Sequence, residues 1–172
     1  KFGDKGHAVI ILHGLLGSLD NWQSIAKMLA EKYQVFIIDQ RNHGRSPHAE
    51  EMSYGVLAND IMEFCQQQYI SKASFIGHSM GGKVAMVLAL NHPELVDKLV
   101  IVDIAPVYYK GGHESILFAM AEAPLHATTD RKGIDVFLEK RIPDFGERQF
   151  VLKNLSRSEN GQLSWKCNLE AL

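Results

Sequence analysis

Residues 73–90 read ASFIGHSMGGKVAMVLAL, and three features follow one another in this stretch. An apolar run typical of a buried strand comes first, and a stretch with the composition of a helix comes last. Between them stands G-x-S-x-G, with Ser79 at the centre and Gly77 and Gly81 on either side. So sharp a turn strains the backbone of Ser79, and a side chain at position 77 or 81 would collide with the turn. The stretch predicts an exposed nucleophilic Ser79; an ordinary turn with an N-capping serine is the alternative.

Buried-strand patterns recur on both sides of this stretch. Strands are predicted over 8–12, 34–39, 73–77 and 98–103. Helices are predicted over 22–32 with Asp20 as N-cap, after Ser53 as N-cap, and over 80–90. Strands that alternate with helices predict an α/β fold, in which a parallel sheet has helices on both faces. Ligands bind at the carboxyl ends of such strands, where we find His13, Asp39, Ser79 and Asp103.

The pattern changes after Pro106. No buried-strand run occurs over residues 108–172, and helical patterns over 114–122, 130–140 and 147–155 take its place. We therefore predict two parts, an α/β core over 1–107 and a helical lid over 108–172, joined flexibly at Gly111 and Gly112. Several apolar lid residues have the spacing of a helix face, which suits packing and the lining of an acyl pocket equally: Ile116, Leu117, Phe118, Met120 and Phe137.

A second glycine-containing segment, HGLLG, begins at His13 and follows the first predicted strand. Acyl transfer needs two N–H donors aimed at the oxyanion that develops in the transition state. The residue after the nucleophile provides one donor, Met80 N–H, and Leu15 N–H is the best candidate for the other. Gly14 lets this backbone approach closely, and we expect His13, Gly14 and His78 to contact the substrate. A glycine turn with a helix-capping histidine is the alternative interpretation.

Four motifs together resemble the α/β-hydrolase superfamily, and within it the YbfF-type esterase/thioesterase branch. They read DQRNHGRS over 39–46, GHSMGGK over 77–83, VDIAP over 102–106 and WKCNL over 165–169. The resemblance extends over essentially the whole chain and implies an α/β-hydrolase fold with a helical lid. It also implies that Asp103, at the end of the strand before the lid, is the acid that orients the catalytic histidine. An aspartate that caps the loop before Pro106 is the alternative.

The base of the expected triad lacks a good candidate in the sequence. His113 and His126 are the histidines that follow Asp103, and both fall in the predicted lid. The resemblance implies a base on a loop beyond Leu172. The chain starts at Lys1 without a methionine and stops in an apolar, helix-like stretch, so both ends look cut. The resemblance then implies that N-terminal strands and the C-terminal strands that carry the base are missing from it. Alone it is then expected to be a very poor catalyst.

Composition excludes several other classes of function. A net charge of −2 gives no basic field for nucleic acid, and no apolar run approaches the roughly 20 residues that insert across a membrane. We expect Cys65 and Cys167 to be free, buried thiols, which favours a reducing, cytoplasmic location. No metal-ligand spacing occurs, so neither a metal nor another cofactor is expected. A glycosylation sequon at Asn154 is attributed to chance.

The leading prediction is hydrolysis of a small-molecule carboxylic ester or acyl thioester, including an acyl-CoA, through an acyl-enzyme on Ser79. A serine at this position excludes dehalogenases and epoxide hydrolases, which need an aspartate there. Two alternatives share the same turn, a C–C bond hydrolase of ring-cleavage diketones and a cofactor-free perhydrolase. A non-catalytic protein that binds a small ligand under the lid is an alternative of another class.

Overall fold

A computed structural model describes residues 1–128 and 130–172 of the chain. The first part alternates strands and helices: β1 (Ala8–Leu12), α1 (Gln23–Leu29), β2 (Gln34–Ile38), α2 (Tyr54–Gln67), β3 (Ala73–His78), α3 (Met80–Asn91) and β4 (Val96–Val102). The second part contains α4 (Glu114–Ala121), α5 (Arg131–Glu139), α6 (Phe145–Val151), β5 (Leu155–Arg157) and β6 (Leu163–Trp165). None of the helices in the described ranges is long and apolar enough to span a bilayer.

β1 to β4 form one parallel sheet with the order β2-β1-β3-β4. All five residues of β1 are buried, because this strand is central and its side chains alternate between two helical layers. Ile10 and Leu12 pack in a cluster with side chains of α2 and α3, whereas Val9 and Ile11 pack with Ala26 of α1. The prediction of a parallel sheet with helices on both faces is confirmed.

β4 differs from the other strands of this sheet. Its only neighbour in the described residues is β3, and most of its side chains are exposed. Leu99, Val100 and Val102 all have large exposed fractions although the strand is apolar. The apolar pattern therefore predicted the strand, and the position of β4 at the sheet edge determines its exposure.

The two helix N-caps predicted in the core have different outcomes. Ser53 caps α2 as predicted, since its hydroxyl accepts a hydrogen bond from Val56 N–H at 3.3 Å. Asp20 is wrong as a cap, because the helical segment begins with a 3-10 turn over Leu19–Trp22 whose N-cap is Ser18, two residues before Asp20. Its carboxylate instead accepts a hydrogen bond from the Gln23 side chain.

Residues 108–172, which we call the cap segment, provide most of an apolar cluster that also includes Leu15 and Leu16. Three helices were predicted here and are present, but α6 ends at Val151, and a 3-10 turn and the β5–β6 hairpin follow it. The prediction of helix up to residue 155, and of a helix-like stretch at the end of the chain, is wrong. Each strand of the hairpin has three residues, which is too short to produce a recognisable alternation. The boundary after residue 107 stays a prediction.

The two cysteines fall in different apolar clusters. Cys65 packs in the cluster around α2 and α3, and Cys167 packs in the cap segment. Both thiols are free and buried, as predicted, and burial raises the pKa of each to about 11. Neither thiol is therefore ionised near neutral pH.

Candidate active site

Ser79 lies at the turn between β3 and α3 in a conformation that few residues adopt. Its φ is 49° and its ψ is −116°, outside the helical and extended regions. A side chain on Gly77 would collide with the backbone of Gly81, and one on Gly81 would collide with the Leu12 carbonyl. The Ser79 N–H donates to Val102 O at 3.0 Å, which ties the turn to β4. The strain and the need for both glycines agree with the turn predicted from the sequence.

The loop after β1 packs directly against this turn. β1 and β3 are adjacent, and the chain leaves β1 towards β2 on one side and returns to β3 on the other, so their carboxyl ends frame a switch point of the sheet. A methyl group on Gly14 would lie 3.2 Å from Ser79 Cβ and 2.8 Å from His78 Nδ1. Glycine at this position therefore allows the loop backbone to reach the serine.

Two backbone N–H groups near Ser79 are available as hydrogen-bond donors. Met80 N–H is at the first residue of α3, where helix geometry provides no acceptor. In the part of the chain that the structure describes, neither Met80 N–H nor Leu15 N–H has an acceptor, whereas the next amide, Leu16 N–H, donates to His43 Nε2 at 3.2 Å. The Leu15 and Met80 N–H groups are thus free to bind an oxyanion.

Asp103 directly follows β4, beside the turn that holds Ser79. Its φ of 54° is again in the left-handed region, and its carboxylate is 88% exposed. The ring of His78 lies beside this carboxylate, with 3.9 Å between His78 Nε2 and Asp103 Oδ2. No hydrogen bond from a described residue of the following loop reaches the carboxylate, so the loop-capping alternative lacks support.

His13 and His43 are buried and have both ring nitrogens occupied. His13 Nδ1 donates to Gly14 O and its Nε2 accepts from Gln40 N–H, at 2.8 and 3.0 Å. His43 Nδ1 donates to Arg41 O at 2.9 Å, and its Nε2 accepts from Leu16 N–H. Burial lowers the pKa of His13 to about 4 and lowers the pKa of His43 below its ordinary value. Both rings are therefore neutral structural groups, and neither is available as a base.

The remaining histidines, His78 aside, lie beside partners other than Ser79. These contacts are His7 with Ser74 and Asp97, His48 with Lys166 O, His92 with Glu94, and His126 with Gln162, while His113 precedes α4. His78 stands over Gly14, and its ring centroid is 6.4 Å from that of Trp22. Within the described residues, the structure gives no histidine hydrogen-bonded to Ser79.

A mostly apolar cavity of about 390 Å³ opens beside this loop. Its lining residues are His13, Gly14, Gly17, Asn21, Trp22, Ile25, His78 and Phe150. The predicted contacts His13, Gly14 and His78 are among them, but Trp22 and Phe150 were not predicted. Phe150, which lines this cavity from the cap segment, belongs to α6. Met120 of α4, a candidate for pocket lining from the sequence, is instead fully buried in the apolar cluster of the cap segment. The position of Phe150 in the cavity could not be predicted from the sequence, because its helical spacing is the same as that of residues that pack in the core.

The loop after β2 fastens the loop after β1 rather than contributing a reactive group. Asp39 accepts from Leu19 N–H at 2.7 Å and from Arg45 N–H at 3.0 Å, so its carboxylate joins the two loops. A side chain on Gly44, whose φ is 59°, would collide with this carboxylate. The motif over 39–46 is therefore a brace for the loop that packs on Ser79.

Comparisons with known proteins agree with this geometry. The chain is 40% identical over 99% of its length to the sn-1-specific diacylglycerol lipase ABHD11 of Danio rerio, and 36% identical over 95% to Esterase YbfF of Escherichia coli. It spans 57% and 63% of these two proteins. A solved structure named marine microorganism esterase matches with 44% identity and a TM-score of 0.96, over 99% of this chain and 67% of that one. A profile of the family "alpha/beta hydrolase fold" matches residues 7–134, and the chain belongs to this family.

Proposed function

We propose that the whole protein hydrolyses carboxylic esters, with Ser79 as the nucleophile. The observation that carries this proposal is the strained Ser79 turn, with the Gly14 loop packed directly against it. The backbone N–H groups of Leu15 and Met80, in the adjoining loop and at the next residue, donate to no described residue. Relatives that are named esterases or lipases support the same reaction class.

In the proposed reaction, Ser79 Oγ attacks the carbonyl carbon and transfers its proton to an imidazole. The carbonyl oxygen becomes negative and accepts hydrogen bonds from Leu15 N–H and Met80 N–H. The imidazole then protonates the leaving alcohol, and water releases the acid from Ser79 in the second half of the cycle. Because no described histidine is hydrogen-bonded to Ser79, we propose that the imidazole comes from a part of the whole protein outside these 172 residues, with Asp103 orienting it.

The cavity beside Gly14 supports an apolar acyl group as the preferred substrate feature. Trp22, Ile25 and Phe150 provide its apolar walls, and Asn21 and His78 provide polar groups at its edge. An acyl chain that enters here gains free energy from burial, about 0.8 kcal/mol for each methylene group. Acyl thioesters, including acyl-CoA, would undergo the same chemistry at Ser79, since only the leaving group differs.

The test is the hydrolysis of p-nitrophenyl butyrate by the whole protein and by its Ser79→Ala variant. We expect the substitution to lower kcat at least about a thousandfold, because the acyl-enzyme cannot form. Ser164→Ala removes an exposed hydroxyl in the cap segment and is the matched control, which should keep full activity. Full activity of Ser79→Ala would contradict the proposal. Turnover of a vinylogous diketone in place of the ester would instead favour a C–C bond hydrolase.

A further inference from the structure

Leu16, the residue after the proposed oxyanion donor Leu15, is held at three points. Its N–H donates to His43 Nε2 at 3.2 Å, and its carbonyl accepts from Asn154 Nδ2 at 2.8 Å. Its side chain is 5% exposed and packs in the apolar cluster of the cap segment. Leu16 has a φ of 57°, which a leucine adopts only when its surroundings enforce it.

Asn154 brings this contact from 138 positions further along the chain. It stands at the end of the 3-10 turn Leu152–Asn154 and is 4% exposed, so its amide is a buried polar group with a specific partner. Asn154 O accepts from Lys166 N–H at 2.8 Å, which fixes the residue to the segment that follows β6. Asn154 is the first residue of a glycosylation sequon, but its side chain is buried and donates to the Leu16 carbonyl.

A second connection from the cap segment reaches the other side of Leu16. Asn168 N–H donates to Asn42 O at 2.9 Å, and the Asn168 amide donates to Asn42 Oδ1 at 3.2 Å. Asn42 has a φ of 64° and is fully buried, and its neighbour His43 is the acceptor for Leu16 N–H. The cap segment therefore contacts Leu16 directly through Asn154 and indirectly through the loop after β2.

We propose that Asn154 and His43 are positioning residues, which hold the Leu16 peptide groups from two sides and so keep the preceding Leu15 N–H beside Ser79. The inference rests on the proposed function and deepens it, because it makes the oxyanion site dependent on a docked cap segment. The peptide group that carries Leu15 N–H has the Gly14 carbonyl at its other end, and this carbonyl accepts from Gly17 N–H at 2.9 Å and from His13 Nδ1 at 2.8 Å. The contacts of Asn154 and His43 restrain the next two peptide groups, so the loop is held on both sides of Leu15. A donor that is already fixed stabilises the oxyanion without reorganisation, and this preorganisation is the source of its catalytic effect.

The first experiment compares Asn154→Ala with Leu138→Ala in the whole protein. Leu138 is fully buried in the same cap cluster, so its truncation loosens the cap without removing a hydrogen bond to the loop. We expect Asn154→Ala to lower kcat for an ester about tenfold with KM within about twofold. Removal of an oxyanion donor lowers kcat a hundredfold or more, and a donor that is only loosened should lower kcat less. Leu138→Ala should lower the melting temperature more and kcat less. The reverse order of kcat effects would overturn the proposal.

The second experiment uses two substitutions of His43. His43→Gln keeps an acceptor near the Nε2 position, whereas His43→Asn keeps only a group near Nδ1 and loses the acceptor for Leu16 N–H. We expect Asn to lower kcat about tenfold and Gln to restore most of the loss. A thionoester of the same acid should be affected less, because its sulfur is a weak hydrogen-bond acceptor and uses the oxyanion donors poorly. Equal losses on the oxoester and the thionoester would contradict the positioning role.

Amide hydrogen exchange separates a failure of this inference from a failure of the proposed function. Exchange at Leu16 should accelerate more in Asn154→Ala than in Leu138→Ala, and more in His43→Asn than in His43→Gln. If the wild-type protein hydrolyses no ester, the proposed function fails, and this exchange pattern still decides whether the two residues hold the loop. Unchanged exchange in Asn154→Ala would overturn the inference even in an active esterase.

Discussion

The sheet-containing part of the chain (residues 1–107) and the cap segment fix their structures by different means. In the first part, the turn at Ser79 lies between a strand and a helix that adjoin it in sequence, and a side chain on Gly77 would collide with Gly81, only four residues away. In the cap segment, position depends on contacts between residues far apart, such as Asn154 with Leu16. The first kind of constraint leaves a local pattern in the sequence, and the second kind does not.

The turn at Ser79 is the most sensitive point of the first part. Gly81→Ala should lower activity by three or more orders of magnitude or prevent folding, because the new methyl group collides with the Leu12 and His13 carbonyls. Gly55→Ala is the matched control, since the nearest atom to its new methyl group would be Ser53 Oγ at 4.0 Å. It should raise the stability of α2 by about 0.5–1 kcal/mol. Urea unfolding and ester hydrolysis measure both effects, and a fully active Gly81→Ala protein would show that the turn is not tightly packed.

Arg148 is a buried charged residue of the cap segment that holds several hydrogen-bond acceptors. It is 6% exposed, its Nε donates to Asp135 at 2.6 Å, and its Nη1 donates to the Ile142 and Pro143 carbonyls. We expect Arg148→Met to lower the free energy of unfolding of the cap by about 3 kcal/mol, because the acceptors lose their partner.

Arg141→Met provides the comparison for Arg148. Arg141 pairs with Glu122 at the surface, and such pairs contribute about 0–1 kcal/mol. Hydrogen exchange across residues 130–155 should report the Arg148 effect locally. Equal destabilisation by both substitutions would mean that burial does not set the strength of these pairs.

The two buried histidines make the first part sensitive to acid. The folded-state pKa of His13 is about 4, below its ordinary value of 6.5, so the unfolded chain takes up a proton first as the pH falls. Stability is then complete above about pH 6.5 and decreases as the pH falls towards 4, by about 3 kcal/mol from this residue. Urea unfolding between pH 7.5 and 4 measures the change. His13→Asn should flatten the profile, and His113→Asn, at an exposed site, should leave it unchanged; equal profiles for all three proteins would contradict this assignment.

The smallest effect concerns Phe150, a side chain of the cap segment that lines the cavity beside Gly14. Phe150→Ala should raise KM for an ester with a medium-length acyl chain about three- to tenfold and leave kcat within twofold, since apolar contact is lost in substrate and transition state alike. Phe145→Ala truncates an exposed aromatic ring of the same helix and should change neither constant. Equal KM values for the two variants would place the acyl group elsewhere.

The sequence was sufficient for the sheet, the turn and the glycine loop, since each of these requires particular residues at fixed spacing. Gly77, Ser79 and Gly81 illustrate this, because strand, turn and helix follow within a few residues. Asn154 and Phe150 were not predicted as site residues, because their partners become neighbours only when the chain has folded. The β5–β6 hairpin was missed because its strands are too short for a periodic pattern. The roles of Leu15, Met80 and Asp103 remain predictions.

The most direct test of the central claim is covalent labelling of the whole protein with a fluorophosphonate, followed by mass spectrometry of the digested adduct. The account predicts one phosphonyl group per chain, located on Ser79, with loss of ester hydrolysis in proportion to labelling. An adduct on another residue, or undiminished hydrolysis in fully labelled protein, would contradict the claim that Ser79 is the nucleophile.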